Sequence, residues 1–183
     1  METLGLVLPR PTLRTNDPRT KDSHESIVFR DVLLRYVDEQ KLKRRNFDSD
    51  SLVNELQAAA RISMASVDAP NPILLLKLPI AALLIAELAA AFDLHVIVIQ
   101  RSMVEIERSR IRRGWSQSFG RSGAERLYRE LHTSLSLAQL SYMTIDYSRL
   151  VQDPISVIER LVSYYDLASL RHNIRRAAAC VRR

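Results

Sequence analysis

The stretch HVIVIQRSMVEIERSRIRRGW, His95 to Trp115, decides how the chain is read. Val96 to Ile99 is a short β-branched run, the pattern of a buried strand. Arg101 follows at once. Ser102, with Glu105 three residues later, forms a capping box, so a helix starts there and runs to about Gly114. At such a junction the free backbone N–H groups and the positive end of the helix dipole favour an anion, and Arg101 adds a fork of donors. Ser109 lies two turns beyond Ser102 on nearly the same face. Many strand-to-helix junctions carry an arginine that is merely solvated, so this unit does not decide function alone.

The same alternation continues on both sides. Upstream, Ile73 to Leu76 is a short apolar strand closed by Lys77, Leu78 and Pro79. Pro79 suits the first turn of a helix over Ile80 to Phe92, apolar nearly all round and so packed on more than one side. Downstream come a polar loop, Ser116 to Gly123, and a helix, Ala124 to Leu140, with Leu127, Leu131, Leu135 and Ala138 on one face. A third strand, Tyr142 to Asp146, follows. Asp153 and Pro154 then cap and begin a helix with Ile158, Leu161, Val162 and Tyr165 inward. Leu167 to Arg183 is basic and compatible with a helix.

Nearer the start, Met1 to Leu8 is apolar, and Gly5 reads as the end of a helix. Pro9 to Asp22 reads as a loop. SHES, Ser23 to Ser26, precedes a helix faced by Phe29, Val32, Leu33, Tyr36 or Val37, and Gln40, ending in the basic run Lys41 to Arg45. A second helix covers Ser51 to Met64, with Leu52, Val53, Leu56 and Ala60 inward, and Val67 to Pro72 is a turn.

Strands alternating with helices predict an α/β fold: a three-layer parallel sheet with helices on both faces, in one domain over residues 1–183. Ligands of such sheets sit at the C-terminal ends of the strands. Lys77, Arg101 and Tyr147 occupy those three ends, and their convergence weighs more than any one of them.

Composition agrees with a folded domain: 183 residues, of which 46% are apolar and 26% charged. The formal charge of +6 suits a phosphorylated ligand, nucleic acid or an acidic surface, but it is dispersed along the chain rather than packed in one basic block. The lone Cys180 excludes an internal disulfide, and its basic surroundings offer no catalytic partner. The most apolar region, Ile73 to Gln100, is interrupted by Lys77, Glu87 and Asp93, which argues against a membrane span. No leader pattern opens the chain, and a cytoplasmic location is the expectation.

In these residues and their spacing the chain resembles sulfotransferases that use 3′-phosphoadenosine 5′-phosphosulfate, most of all the small bacterial type. Arg101 and Ser109 match the family's spacing of a strand, an Arg and a Ser eight positions later, the pair that holds the 3′-phosphate. LKLP, Leu76 to Pro79, is similar to its Lys-x-Pro segment, and Tyr142 to Leu167 to its late strand–loop–helix. SHES resembles the segment whose Glu is the general base in several branches. The likeness covers about Gly5 to Leu167. It implies a P-loop NTPase-like fold, a small-molecule or glycan hydroxyl or amine acceptor, and no metal. It implies Glu25 as base with His24 as second choice, Lys77 on the sulfuryl oxygens, and Arg101 and Ser109 on the nucleotide. The departure is the family's Pro-x-x-Gly-Thr-Thr loop. The four glycines, Gly5, Gly114, Gly120 and Gly123, stand in no such loop, so the first strand of the fold is expected to be missing and the domain N-terminally incomplete.

Each role has a plainer competitor. Glu25 or Ser23 would simply cap the following helix, and Lys77 would lie along a strand end with its ammonium in water. Tyr147 is read as packing, Trp115 as a core or rim residue, and His132 as partly buried structure. Among whole-chain alternatives stands a degenerate, non-catalytic remnant that binds a 3′-phosphorylated nucleotide. A basic nucleic-acid-binding module is disfavoured, because no aromatic–basic interleaved motif occurs. A kinase-like binder lacks the Gly-x-x-x-x-Gly-Lys-Ser/Thr loop. An uncovered strand edge predicts self-association, and hence a homo-oligomer.

Overall fold

A computed structural model describes residues 6–14, 22–65, 67 and 72–181. Gly5 lies outside them. The chain is mixed helix and strand. Its central feature is a parallel pair, β5 (Val96–Gln100) with β6 (Tyr142–Asp146), in register Val96 with Tyr142 through Gln100 with Asp146. A second parallel contact, between Val7 and Leu74, is a single bridge. Val7 N–H donates to Ile73 O at 2.9 Å, and Leu75 N–H to Val7 O at 2.7 Å. Leu6 and Leu8 beside Val7 are buried. Val7 is thus extended, and the helix end expected at Gly5 lies outside the described residues. The expected strand Ile73 to Leu76 shrinks to this bridge, and a continuous three-stranded sheet does not form among the described residues.

Period-two alternation places helices on both sides of these segments. Leu74 and Leu76 pack into the largest core cluster, built on α1 (Ile27–Tyr36), α2 (Ser49–Met64) and α3 (Ile85–Ala91). Ile73 and Leu75 turn the other way, toward α7 (Pro154–Tyr164) and α8 (Ile174–Val181). On β5, Val96 and Val98 meet Tyr128, Leu131 and Leu135 of α5 (Arg121–Leu137), whereas Ile97 meets α7. One helix floors both parallel segments: Ile158 and Val162 of α7 lie with Leu6, Ile73 and Leu75, and Val157 and Leu161 with Met143 and Ile145. The Tyr165 hydroxyl ties the start of the pair, accepting from Met143 N–H at 3.2 Å and donating to Val96 O.

Local chemistry fixes the N-termini of α1, α2, α4 and α7. Asp153 accepts from Ser156 N–H, and Pro154 opens α7, as expected. Ser102 accepts from Glu105 N–H at 3.2 Å and starts α4 (Met103–Arg113), which ends on left-handed Gly114. Asp48 caps α2, which starts at Ser49, two residues before the expected Ser51.

Other expectations fail where burial overrides the local signal. β1 (Thr12–Arg14) and β2 (Asp22–Ser26) pair antiparallel where a loop was expected. The first helix stops at Tyr36. β3 (Val37–Asp38) and β4 (Lys43–Arg44) then form a hairpin, because Val37 and Leu42 both reach the interior and a helix would point them apart. The apolar helix breaks into a 3-10 turn, Pro79–Leu83, and α3, which lets the consecutive Leu83, Leu84 and Ile85 all be buried. The loop after Gly114 contains a 3-10 turn, Gln117–Phe119, and α5 starts at Arg121 rather than Ala124. A short helix, α6 (Tyr147–Gln152), follows β6 directly.

Candidate functional site

Arg101 stands where the parallel register ends, between β5 and α4. Its N–H lies 3.4 Å from the Tyr128 hydroxyl, which itself donates to Ile99 O at 2.9 Å. Tyr128 thus pins the strand-to-helix turn from α5. The guanidinium lies over the Tyr147 ring, 4.3 Å from its centre. That contact follows from the register: Gln100 faces Asp146, so the next residue on each strand is Arg101 and Tyr147. Asp146 caps α6 through Arg149 N–H at 3.0 Å and fixes where Tyr147 sits. Hydrogen bonds from Ser148 Oγ, then Arg149 N–H, hold the Asp146 carboxyl below the usual range.

Among the described residues Arg101 makes no ion pair, and its Nε is buried without a hydrogen-bond partner. A buried donor left unpaired costs about 1–3 kcal/mol. Here it comes with a guanidinium desolvated on one face by an aromatic ring and a helix N-terminus one residue away. This arrangement can accept an anion. Ser109 is half-buried on α4, on the same strand–helix unit. From Ser102 it is about 10 Å along the helix axis, and no hydrogen bond joins it to Arg101.

The other helix start nearby is already filled. α5 begins at Arg121, and its N-cap position, Gly120, offers no side-chain cap; Glu107 reaches across from α4 and accepts Arg121 N–H at 2.9 Å. The Arg110 hydrogen bond, and then this N–H, hold the Glu107 carboxyl low. A Cβ at Gly120 would stand 2.3 Å from Glu107 Oε2, and one at Gly123 1.7 Å from Ser118 O. Gly123 is closed off by the Ser118 backbone, and Gly120 by the ends of the Glu107 and Arg110 side chains.

A second group gathers at the far end of the 73–75 segment. Lys77 Nζ donates to Ser23 O at 2.5 Å, joining the strand end to β2. The helix cap is Ser26, whose Oγ accepts from Phe29 N–H, and not Glu25 or Ser23. Glu25 is thereby released from the structural role that competed with a catalytic one. It is half-buried, and burial pushes its carboxyl above the ordinary value against the pull of Lys77 and Arg30, with Glu39 adding to the rise. A carboxyl so placed is suited to proton transfer. His24 is exposed, with a left-handed backbone at φ 58°.

The remaining residues keep the plainer readings. The Trp115 ring meets Phe119 edge-on and Arg113 over its face. His132 Nδ1 lies 3.1 Å from the Tyr142 hydroxyl. Cys180 is exposed on α8. Among the described residues no group of three or more His, Cys, Asp or Glu side chains could hold a metal ion. No described helix is long and apolar enough to cross a membrane.

Sequence reasoning missed Tyr128 as the pin of the turn and Tyr147 as a stacking partner. The position of Tyr147 at a strand end was the only signal for it. It also missed Arg30 and Glu39, which stand nine residues apart and meet only through the hairpin. Compared with known proteins, the chain matches no family model, no curated protein and no solved structure.

Proposed function

We propose that this chain is sulfotransferase-like: it binds 3′-phosphoadenosine 5′-phosphosulfate and passes the sulfuryl group to a hydroxyl or amine of a small-molecule or glycan acceptor. The observation that carries the reading is Arg101, stacked on Tyr147 with a buried, unpartnered Nε beside the α4 N-terminus. In this reading Arg101 and Ser109 hold the ribose 3′-phosphate. Glu25 takes the acceptor proton as the acceptor oxygen bonds to sulfur, with His24 as the alternative base. The bond from sulfur to the 5′-phosphate oxygen breaks, and adenosine 3′,5′-bisphosphate leaves. Lys77 offsets charge on the sulfuryl oxygens. Most of the rate comes from positioning and charge neutralisation, as in phosphoryl transfer. The finer architecture belongs to the same proposal: a three-layer, P-loop NTPase-like sheet in which the Val7 and Leu74 segments flank the β5–β6 pair. So does a cytoplasmic location.

A second reading, nucleotide binding without transfer, is favoured by the glycines. Gly120 and Gly123 are filled by Glu107 and Ser118, and neither is open to a phosphosulfate.

Calorimetric titration tests both readings. Adenosine 3′,5′-bisphosphate should bind, adenosine 5′-monophosphate should bind far more weakly, and Arg101→Ala should abolish the difference. Equal affinity for the two nucleotides, or an unchanged Arg101→Ala variant, would remove both readings. Release of bisphosphate from the donor, dependent on acceptor, separates transfer from binding alone.

A further inference from the structure

Charged groups from three elements face Glu25: Lys77 from the strand end, Arg30 from α1, and Glu39 from the turn between β3 and β4. His24 precedes it on β2 with its side chain exposed. Arg30 has two carboxylates within reach and sits on one. Its Nη2 donates to Glu39 Oε1 at 2.8 Å and Oε2 at 2.7 Å, while its Nε stays 4.0 Å from Glu25 Oε2. The three side chains are 21–23% exposed, so solvent screens them only in part. The hairpin creates this choice. Had α1 continued, Glu39 would lie nine residues on, about half a rotation round the helix and roughly 13 Å along it from Arg30.

We propose that Glu39 is a positioning residue for Glu25: it captures the Arg30 guanidinium through two short hydrogen bonds, holds it at the 4.0 Å limit of an ion pair with Glu25 and short of a hydrogen bond, and leaves the Glu25 carboxylate free to take a proton from a bound acceptor. The inference rests on reading Glu25 as the base. Closing the last ångström or so between Arg30 and Glu25 would bind the carboxylate in its charged form and weaken it as a base.

The test is the ¹³C NMR titration of the Glu25 carboxyl, assigned with Glu25→Gln. It is run in four full-length proteins: wild type, Glu39→Gln, Arg30→Gln and the double variant. Glu39→Gln should lower the Glu25 midpoint by about 1 pH unit or more, the effect of an opposite charge within contact distance. In the Arg30→Gln background the same substitution should move it by well under half as much, because no guanidinium is left to be released. An unmoved midpoint in Glu39→Gln overturns the proposal. A shift just as large without Arg30 does so too, since it would mean simple repulsion between two carboxylates. Sulfuryl transfer retained in full by Glu25→Gln would instead remove the reading of Glu25 as base, whatever the titrations give.

Discussion

Replacing Arg101 by methionine separates a binding residue from a structural one. The substitution keeps an unbranched stem and removes the charge. The guanidinium stack on Tyr147, at 4.3 Å, is worth about 0.5–2 kcal/mol. Methionine recovers about 0.3–1.5 kcal/mol of that through a sulfur contact with the ring. It also relieves the buried, unpartnered Nε, worth about 1–3 kcal/mol. Taken at mid-range, these contributions leave Arg101→Met more stable than the wild type by about 1–2 kcal/mol. For a chain of this length that is a Tm raised by roughly 2–8 °C. Binding should move the other way. Loss of one charge-assisted hydrogen bond to phosphate, about 1.5–3 kcal/mol, weakens adenosine 3′,5′-bisphosphate roughly 10- to 150-fold. Urea denaturation and calorimetric titration on the same preparations read both quantities. A variant that loses more than about 2 kcal/mol of stability while binding nucleotide as tightly as the wild type would refute the reasoning, for Arg101 would then be a structural strut.

Three further outcomes follow from the geometry. Gly123→Ala should destabilise by about 2 kcal/mol net: the new Cβ meets the Ser118 backbone O at 1.7 Å, and Ser118 is tied to Gln40 O at 2.7 Å, so overpacking costs about 3 kcal/mol against a helix-propensity gain of about 1 kcal/mol. A variant as stable as the wild type in urea would show that the 118–123 turn yields. Glu25→Gln should stabilise the fold increasingly as pH rises. The raised folded pKa means the native state binds the proton more tightly than the unfolded chain. That contribution is complete below the ordinary value of 4.5 and is lost as pH rises through the folded value. Denaturation between about pH 4 and pH 8 checks this, and a stability difference independent of pH would contradict it. Finally, β5 and β6 pair only with each other among the described residues, so sedimentation velocity should show concentration-dependent association through an open strand edge. A single monomer boundary at all concentrations would argue that the edges are covered.

The sequence by itself determined the features whose causes lie within a few residues. β5 and β6 were legible because β-branched and alternating runs announce them, and α4 because Ser102, Glu105 and Gly114 mark both its ends. Asp153 and Pro154 placed α7 for the same reason. The positions of Arg101 and Lys77 at strand ends followed from that local order. Tertiary structure alone decided that Tyr147 lies under the Arg101 guanidinium, that Ser26 and not Glu25 caps α1, and that Arg30 spends itself on Glu39. It also decided that an uninterrupted apolar segment breaks at Leu84, and that the chain turns back at Leu42 instead of extending α1. Caps and periodicity act over one or two helical turns and leave their signature in neighbouring residues. A stack, a hairpin or a shared guanidinium depends on which distant surfaces must be buried together, and no short window of sequence contains both partners.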